Sequence, residues 1–286
     1  ANVVKDSFLG RFDDRGRFHR NDYTEWVRRY STLTDDARSV IRQRASALGY
    51  QPLISIILPV FNSPADWLIQ CVDSVRNQLY PNWELCIADD RSTDLKVHNI
   101  LKRYANLDNR IKIVFREENG HISAASNSAL ELAVGNWIVL LDHDDKLSED
   151  ALYRVVEAIN NHPTVRLIYS DEDKINEANQ RLQPYFKPDW NLDLFYSQNM
   201  FSHLGAYRLD LVKEVGGFRV GYEGSQDYDL ALRCIEKVDA NQIHHIPYVL
   251  YHWRIHEQST AHSHETKPYA QVAALRALSE HFQRIK

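Results

Sequence analysis

Carboxylates that directly follow short apolar runs are the residues of this chain best suited to chemistry. Asp89-Asp90, Asp142-His143-Asp144-Asp145 and Asp171-Glu172-Asp173 each occupy such a position. The carboxylates of residues 142–145 would repel one another unless a cation lay among them, and oxygen ligands favour Mg²⁺ or Mn²⁺. This segment therefore predicts a divalent metal site. The acids near Asp94 and from residue 148 onward suit helix caps and solvated turns equally well.

Alternating strands and helices would bring these carboxylates together. Apolar runs over 54–58, 85–88, 111–115 and 137–141 predict buried parallel strands, with helical patterns between them. The alternation predicts βαβ units and an α/β fold whose mostly parallel sheet is flanked by helices. In such sheets, ligands bind beyond the carboxyl ends of the strands, and the acidic groups follow those ends.

The pattern divides the chain into an extension and a larger domain. Residues 1–50 carry apolar side chains at loosely helical spacing among many arginines, which predicts an N-terminal helical extension. Residues 51–286 are predicted to form one domain, and the strand–helix alternation weakens after Tyr169. In this second half, the only longer elements predicted are a helix over 227–237, a strand over 246–253 and a helix over 267–286.

Composition and charge exclude several classes of protein. The 286 residues are 44% hydrophobic and 26% charged, as in ordinary globular domains. A net charge of −5 provides no general attraction for nucleic acid, so no nucleic acid partner is predicted. No apolar run approaches the ~18 residues of a membrane span, and Ala1 to Arg20 do not form a signal peptide. Cys71, Cys86 and Cys234 suit core packing in a reducing compartment, which predicts a cytoplasmic protein without a transmembrane segment.

A set of short motifs, in a fixed order, carries a family resemblance. They are Leu58-Pro59-Val60-Phe61-Asn62, Asp89-Asp90-Arg91-Ser92-Thr93-Asp94, Asn119-Gly120 through Asn127-Ser128-Ala129-Leu130, Leu140-Leu141-Asp142-His143-Asp144-Asp145, and Gly216-Gly217-Phe218 followed by Gln226-Asp227. With this set, residues 52–260 resemble glycosyltransferase family 2. The chain is most similar to bacterial O-antigen and surface-polysaccharide transferases, in which Tyr169 to Lys174, Lys187 to Asn191 and Tyr251 to Arg254 also recur.

The resemblance implies a fold and an activity. The fold would be of the GT-A type, with a nucleotide-sugar half over about 51–170 and an acceptor half over about 171–286. The activity would be metal-dependent, inverting transfer of a sugar from a UDP- or dTDP-sugar to a glycan or lipid-linked glycan acceptor, with Mn²⁺ or Mg²⁺ as cofactor. Such transferases often form one module of a larger multi-domain chain, and this one would act at the cytoplasmic face of the inner membrane, as a peripheral protein.

The resemblance also implies roles for individual residues. Asp144 would bind the metal directly, and a single histidine, His252, would complete the metal shell. Asp142 would reach the ribose or the metal, and Asp89 or Asp90 would hold the nucleobase. The predicted donor-binding residues are Pro59, Phe61, Asn62, Asp89, Asp90, Asn119, Asp142 and His143.

On the acceptor side, the resemblance makes Asp227 the general base, with Asp173, Trp190 and Gln226 as acceptor-binding residues. A helix N-terminus is expected to keep the Asp227 carboxylate ionised. The chain departs from the family at Gln226, where a glutamate is usual, and at Ser126, where an arginine is frequent.

Alternative functions make different demands on the sequence. A nucleotidyltransferase would need a glycine-rich, basic loop after the first strand, but that loop reads Phe61-Asn62-Ser63-Pro64. A zinc pair of His252 and His256 would need a helix, whereas the residues before them have the pattern of a strand. A non-catalytic module that binds carbohydrate or nucleotide remains open. An intact set of Asp142, Asp144 and Asp227 favours the enzyme.

Overall fold

The apolar runs of the first half form four parallel strands. In the computed structural model, which describes residues 22–255 and 268–286, these are β1 (Ile54–Val60), β2 (Trp83–Asp89), β3 (Ile111–Phe115) and β4 (Trp137–Leu140). They lie in the order β3-β2-β1-β4, and every contact among them is parallel. Because β1 and β2 are buried along their whole length, they contain continuous apolar runs. This part of the predicted sheet is confirmed.

The second half extends the sheet in mixed directions. Its strands are β5 (Lys146–Leu147), β6 (Leu167–Ile175), β7 (Arg181–Tyr185), β8 (Gly205–Arg208) and β9 (Ile243–Arg254). Beyond β4 the order is β8-β6-β9-β5, and β7 pairs with β6 outside this path. The β8 strand is antiparallel to both neighbours, whereas β6 and β9 are parallel to each other. The acids at 171–173 therefore lie within β6 and do not follow its end, which corrects the prediction.

Helices cover both faces of the sheet and produce two buried clusters. The helices are α1 (Asp22–Trp26), α2 (Asp35–Ala47), α3 (Ala65–Arg76), α4 (Leu95–Leu107), α5 (His121–Glu131), α6 (Ala151–Asn161), α7 (Leu192–Ser197), α8 (Leu209–Glu214), α9 (Gln226–Ile235) and α10 (Pro268–Arg284). Side chains from α3, α4 and α6 meet one face, and those from α5, α8 and α9 meet the other. A π-helical turn, Val27–Ser31, extends α1, and a 3-10 turn, Ala240–Gln242, precedes β9. Within residues 22–255 and 268–286, no helix is both long and apolar enough to cross a membrane.

The N-terminal extension packs on the domain. Ile41 and Ala45 of α2 are buried in the cluster that contains β1. The Arg38 guanidinium donates to both carboxylate oxygens of Glu149, at 2.7 and 2.8 Å. The Tyr23 hydroxyl donates to Asp173 at 2.7 Å. The described part of the extension thus shares its core with the sheet.

A buried glutamate ties the parallel strands together. One carboxylate oxygen of Glu84, on β2, accepts from the Ser55 hydroxyl of β1 at 2.6 Å and from Val134 N at 2.7 Å. Its other oxygen lies 2.6 Å from the Lys112 ammonium of β3. Burial raises the pKa of Glu84, but Lys112 and the hydrogen bonds outweigh it and hold this pKa below its usual range.

The three cysteines are free thiols in the interior, as predicted. Cys71 lies on α3, and its Sγ is 3.4 Å from the carbonyl oxygen of Asp142. Burial, reinforced by the nearby aspartates, raises the pKa of the Cys71 thiol well above its usual value. Cys86 and Cys234 are buried against the opposite face of the sheet.

Candidate active site

A cleft opens at the carboxyl ends of β1, β2 and β4, and its volume is about 1610 Å³. Parallel strands that end together place their following residues side by side, which explains why sequence-distant residues meet there. The cleft brings together most of the predicted site residues, namely Pro59, Phe61, Asn62, Asp90, Asn119, Asp142, His143, Asp144, Gln226 and Asp227.

The loops after β1 and β2 form one rigid wall of the cleft. Asp90 accepts from Arg116 Nε at 2.8 Å and from Gly120 N at 3.0 Å, and its carbonyl accepts from the Asn119 side chain. Asn62 joins the two loops because its side-chain oxygen accepts from Thr93 N at 2.8 Å. Asp89 is fully buried beneath the wall, where it accepts from Ser92 N and pairs with His98. The structure thus places Asp90, and not Asp89, at the surface of the cleft.

A cluster of possible metal ligands lies at the end of β4. One oxygen each of Asp142 and Asp145 and one imidazole nitrogen of His203 lie within 4.8 Å of one another. The Asp145 carboxylate is fixed because it accepts from the Tyr251 hydroxyl at 2.6 Å and from Arg254 N at 2.7 Å. Burial, with the charges of the neighbouring aspartates, raises its pKa well above the usual value. Two carboxylates and an imidazole are a donor set that fits Mn²⁺.

His203 was not predicted from the sequence. It precedes β8 in a segment with little periodicity, and its ring stacks on Tyr251, with centroids 4.3 Å apart and an angle of 10° between the planes. The contact brings together residues 48 positions apart in the chain. His203 lies in none of the quoted family motifs, and the ring that stacks on it belongs to β9. No local pattern in the sequence therefore indicates a role for this residue.

Besides Asp89, three predicted residues do not line the cleft. His252 is buried, and its Nδ1 lies 2.6 Å from Asp173. Asp173 also accepts from Arg181 Nε at 2.5 Å, so both residues belong to an internal polar cluster. Trp190 packs on Phe195 with ring centroids 5.2 Å apart. The roles of His252 at the metal and of Asp173 and Trp190 at the acceptor therefore stay predictions, and His256 lies outside the described residues.

Asp227 lies in the first turn of α9 and lines the same cleft as Asp90. Its Oδ2 accepts from the Asn199 side chain at 2.6 Å. Desolvation raises the pKa of Asp227 above its ordinary value, although the nearby His203 and the Tyr228 N–H act in the opposite direction. The helix N-terminus therefore contributes as expected, but burial outweighs it. A carboxylate with a raised pKa is better matched to proton acceptance near neutral pH.

Comparison with known proteins identifies the family of this chain. The family model described as Glycosyl transferase family 2 matches residues 55–216, more than half of the chain. The chain belongs to glycosyl transferase family 2. The resemblance predicted from the motifs is thereby confirmed. The match includes the wall around Asp90 and the Asp142 cluster, whereas Asp227 lies beyond its end.

Family 2 relatives of this chain are much longer proteins. The uncharacterized protein y4gI of Sinorhizobium fredii is 51% identical over 259 residues, which cover 91% of this chain and 28% of that protein. The O-antigen biosynthesis protein RfbC of Myxococcus xanthus is 34% identical over 264 residues, which cover 92% of this chain and 20% of RfbC. The chain therefore spans well under a third of the length of either relative.

Solved structures of similar shape confirm the GT-A type of fold. S. aureus TarS 1-349 in complex with UDP-GlcNAc superposes with a TM-score of 0.62 at 21% identity, covering 78% of this chain and 65% of that one. The mannosyltransferase PcManGT from Pyrobaculum calidifontis, in complex with GDP-Man and Mn²⁺, gives a TM-score of 0.59 at 20% identity, with coverage of 87% and 72%. At this level of identity the likeness concerns the fold.

Proposed function

We propose that this family 2 chain is a metal-dependent, inverting glycosyltransferase module that acts in the synthesis of a bacterial surface polysaccharide. One observation carries the proposal: the same cleft is lined by Asp142 and His203 of the possible metal-ligand cluster, by Asp90 and by Asp227. Two comparisons support it. RfbC is named for O-antigen biosynthesis, and the similar TarS and PcManGT structures contain nucleotide sugars.

In this proposal, Asp142, Asp145 and His203 hold a divalent cation, and Asp144 faces the same part of the cleft. When bound, the cation supplies Lewis-acid charge to the diphosphate leaving group. His203 takes the place that the sequence had given to His252. The acidic cluster is compatible with such a cation because the carboxylates would otherwise repel one another.

The remaining residues bind the donor and accept a proton. Asp90 and the turn from Pro59 to Phe61 hold the nucleobase, on a wall that is already fixed by hydrogen bonds. Asp227 accepts the proton of the acceptor hydroxyl as that oxygen attacks the anomeric carbon. A single carboxylate base implies one direct displacement, so an α-linked donor would give a β-linked product.

The size of the cleft supports a two-substrate reaction. Sites for one small ligand usually measure ~300–1,000 Å³, and this cleft is larger, at about 1610 Å³. Aromatic and amide side chains also line the cleft, and they can stack on sugar rings and bond to hydroxyls. We assign these side chains, with Gln226 beside the base, to the glycan acceptor. They include Tyr185, Tyr196, Gln198, Tyr269 and Gln271.

A donor screen tests the proposal. The purified chain is heated with UDP-, dTDP- or GDP-sugars, each with and without Mn²⁺. A true donor at 100 times its Kd should stabilise the fold by about 2.7 kcal/mol, and only when Mn²⁺ is present. Hydrolysis of that donor then separates an enzyme from a binding module.

Two results would count against the proposal. Full activity in EDTA would exclude the metal-dependent mechanism, and retention of the anomeric configuration, seen by NMR in the first-formed product, would exclude direct displacement. Asp142→Asn is expected to abolish the Mn²⁺-dependent stabilisation. Asp193→Asn, an exposed carboxylate in the first turn of α7, is the matched control that should preserve it.

A further inference from the structure

Two recurrent motifs, at 169–174 and 187–191, have no role in the mechanism above, yet they supply a buried ion pair. The Lys187 ammonium lies 3.0 Å from the Glu172 carboxylate, and their side chains are 0% and 9% exposed. Burial lowers the pKa of Lys187, although the charge of Glu172 opposes this effect. Because desolvation offsets most of the attraction in such pairs, this pair is weak evidence for stability.

The ion pair forms hydrogen bonds with both the N–H and the carbonyl group of His203. Lys187 Nζ donates to the carbonyl oxygen of His203 at 2.5 Å, and His203 N donates to Glu172 Oε2 at 3.1 Å. The next residue, Leu204, exchanges hydrogen bonds with Ser170 at 3.1 and 3.3 Å. The main chain on both sides of His203 is therefore anchored to β6 and to the segment that follows β7.

The same segment reaches the proposed base. The Asn199 side chain donates to Asp227 and accepts from Ser202 N at 3.2 Å. Residues 199–203 thus connect the Asp227 carboxylate with the imidazole that lies beside Asp142. A displacement of this segment would move the His203 imidazole and would also disturb the hydrogen bond that Asn199 donates to Asp227.

We propose that Glu172 and Lys187 are positioning residues, which fix the His203 imidazole at the divalent metal site. The inference rests on the proposed function, because that function places the cation at His203. The hydrogen bonds reach the main chain of His203 and not its ring. The pair therefore acts on metal affinity through position, as the residues that orient metal ligands generally do.

The test separates position from stability. In Glu172→Met/Lys187→Met, both charges are replaced by apolar side chains, a change that is often neutral or stabilising for a buried pair. Lys187→Met alone leaves a buried carboxylate unpaired and should lower the Tm. The double variant should recover Tm toward that of the wild type, but its Mn²⁺ affinity should stay about 10–100-fold weaker. Calorimetry measures the affinity, and pulsed EPR detects the nitrogen nucleus of a bound imidazole through its coupling to Mn²⁺.

Lys112→Met is the matched control, since it also removes an ammonium from a buried glutamate but lies away from the cleft. It should lower the Tm while Mn²⁺ affinity stays at the wild-type value. Should the double variant not fold, Glu172→Gln breaks the ion pair while keeping an acceptor for His203 N, and it should weaken Mn²⁺ binding to a smaller extent.

The outcomes distinguish the inference from the proposed function. His203→Gln should remove the nitrogen coupling that the wild type shows. If the wild type binds Mn²⁺ without this coupling, His203 is not a ligand, and both the proposed metal site and the inference fall. If the coupling is present and the double variant retains it at wild-type affinity, the pair is merely structural and the inference alone is overturned.

Discussion

Asp227 is the residue whose role in proton transfer can be separated from donor binding. Asp227→Asn keeps the size of the side chain but cannot accept the proton. Turnover in a transfer assay should fall by about 10²–10⁴-fold, the usual contribution of a general base. Donor affinity, measured by calorimetry with Mn²⁺, should change little because the lost interaction forms mainly in the transition state. Loss of donor binding comparable to that expected for Asp142→Asn would instead assign Asp227 to the metal or nucleotide.

The sequence predicted residues that follow strand ends better than residues held by distant partners. Asp90, Asp142 and Asp144 line the cleft because parallel strands deliver them to one edge of the sheet. His203 could not be predicted, since a buried ion pair and the Tyr251 ring determine its position. Likewise, the contact of His252 Nδ1 with Asp173, 79 residues earlier, has no local signal in the sequence.

At the scale of elements, Glu84 predicts a pH dependence of stability. Its pKa is lowered in the folded protein, so its contribution is present above the unfolded pKa, about 4.3, and is lost as the pH falls through the folded value. Glu84→Gln should reduce the free energy of unfolding at neutral pH by about 1.5–3 kcal/mol, as for hydrogen bonds to charged groups.

Urea unfolding at a series of pH values provides the measurement. The curves of the wild type and of Glu84→Gln should converge as the pH falls below about 4. Glu131→Gln changes an exposed glutamate on α5 and should leave the wild-type profile intact. A constant difference between wild type and Glu84→Gln at all pH values would mean that charge is not the source of the effect.

Some secondary-structure elements could be predicted from the sequence and others could not, for a physical reason. Strands buried on both faces contain uninterrupted apolar runs, so the sequence predicted them correctly. The β6 strand continues through Asp171, Glu172 and Asp173 because each carboxylate has a cationic or histidine partner from another element. No local pattern reveals such partners, so the sequence predicted that these acids follow the end of the strand. The two-residue β5 and the four-residue β8 are too short to show periodicity.

For the whole molecule, the question is whether the extension folds as one unit with the sheet. Ile41 on α2 is 6% exposed within the main core, whereas its neighbour Val40 is 45% exposed. Ile41→Ala should reduce the free energy of unfolding by about 2–5 kcal/mol, as for other buried aliphatic side chains. Val40→Ala, the matched control, should change it by less than about 0.5 kcal/mol.

Urea denaturation followed by tryptophan fluorescence measures both variants, because the sheet contains Trp83 and Trp137. A single transition that shifts in Ile41→Ala indicates one cooperative unit. An unchanged main transition would show instead that α2 detaches independently of the sheet, despite its contacts with Glu149 and the core.

The buried thiol of Cys71 makes the cleft observable by chemical labelling. Its Sγ lies against the backbone of Asp142, so a thiol reagent can reach it only when α3 and the end of β4 separate. Its raised pKa slows the reaction further, because the thiolate is the reactive form. Cys234, buried against the opposite face of the sheet, reports on a different part of the molecule. The ratio of the two labelling rates therefore records how far ligands at Asp142 suppress local opening, without any engineered probe.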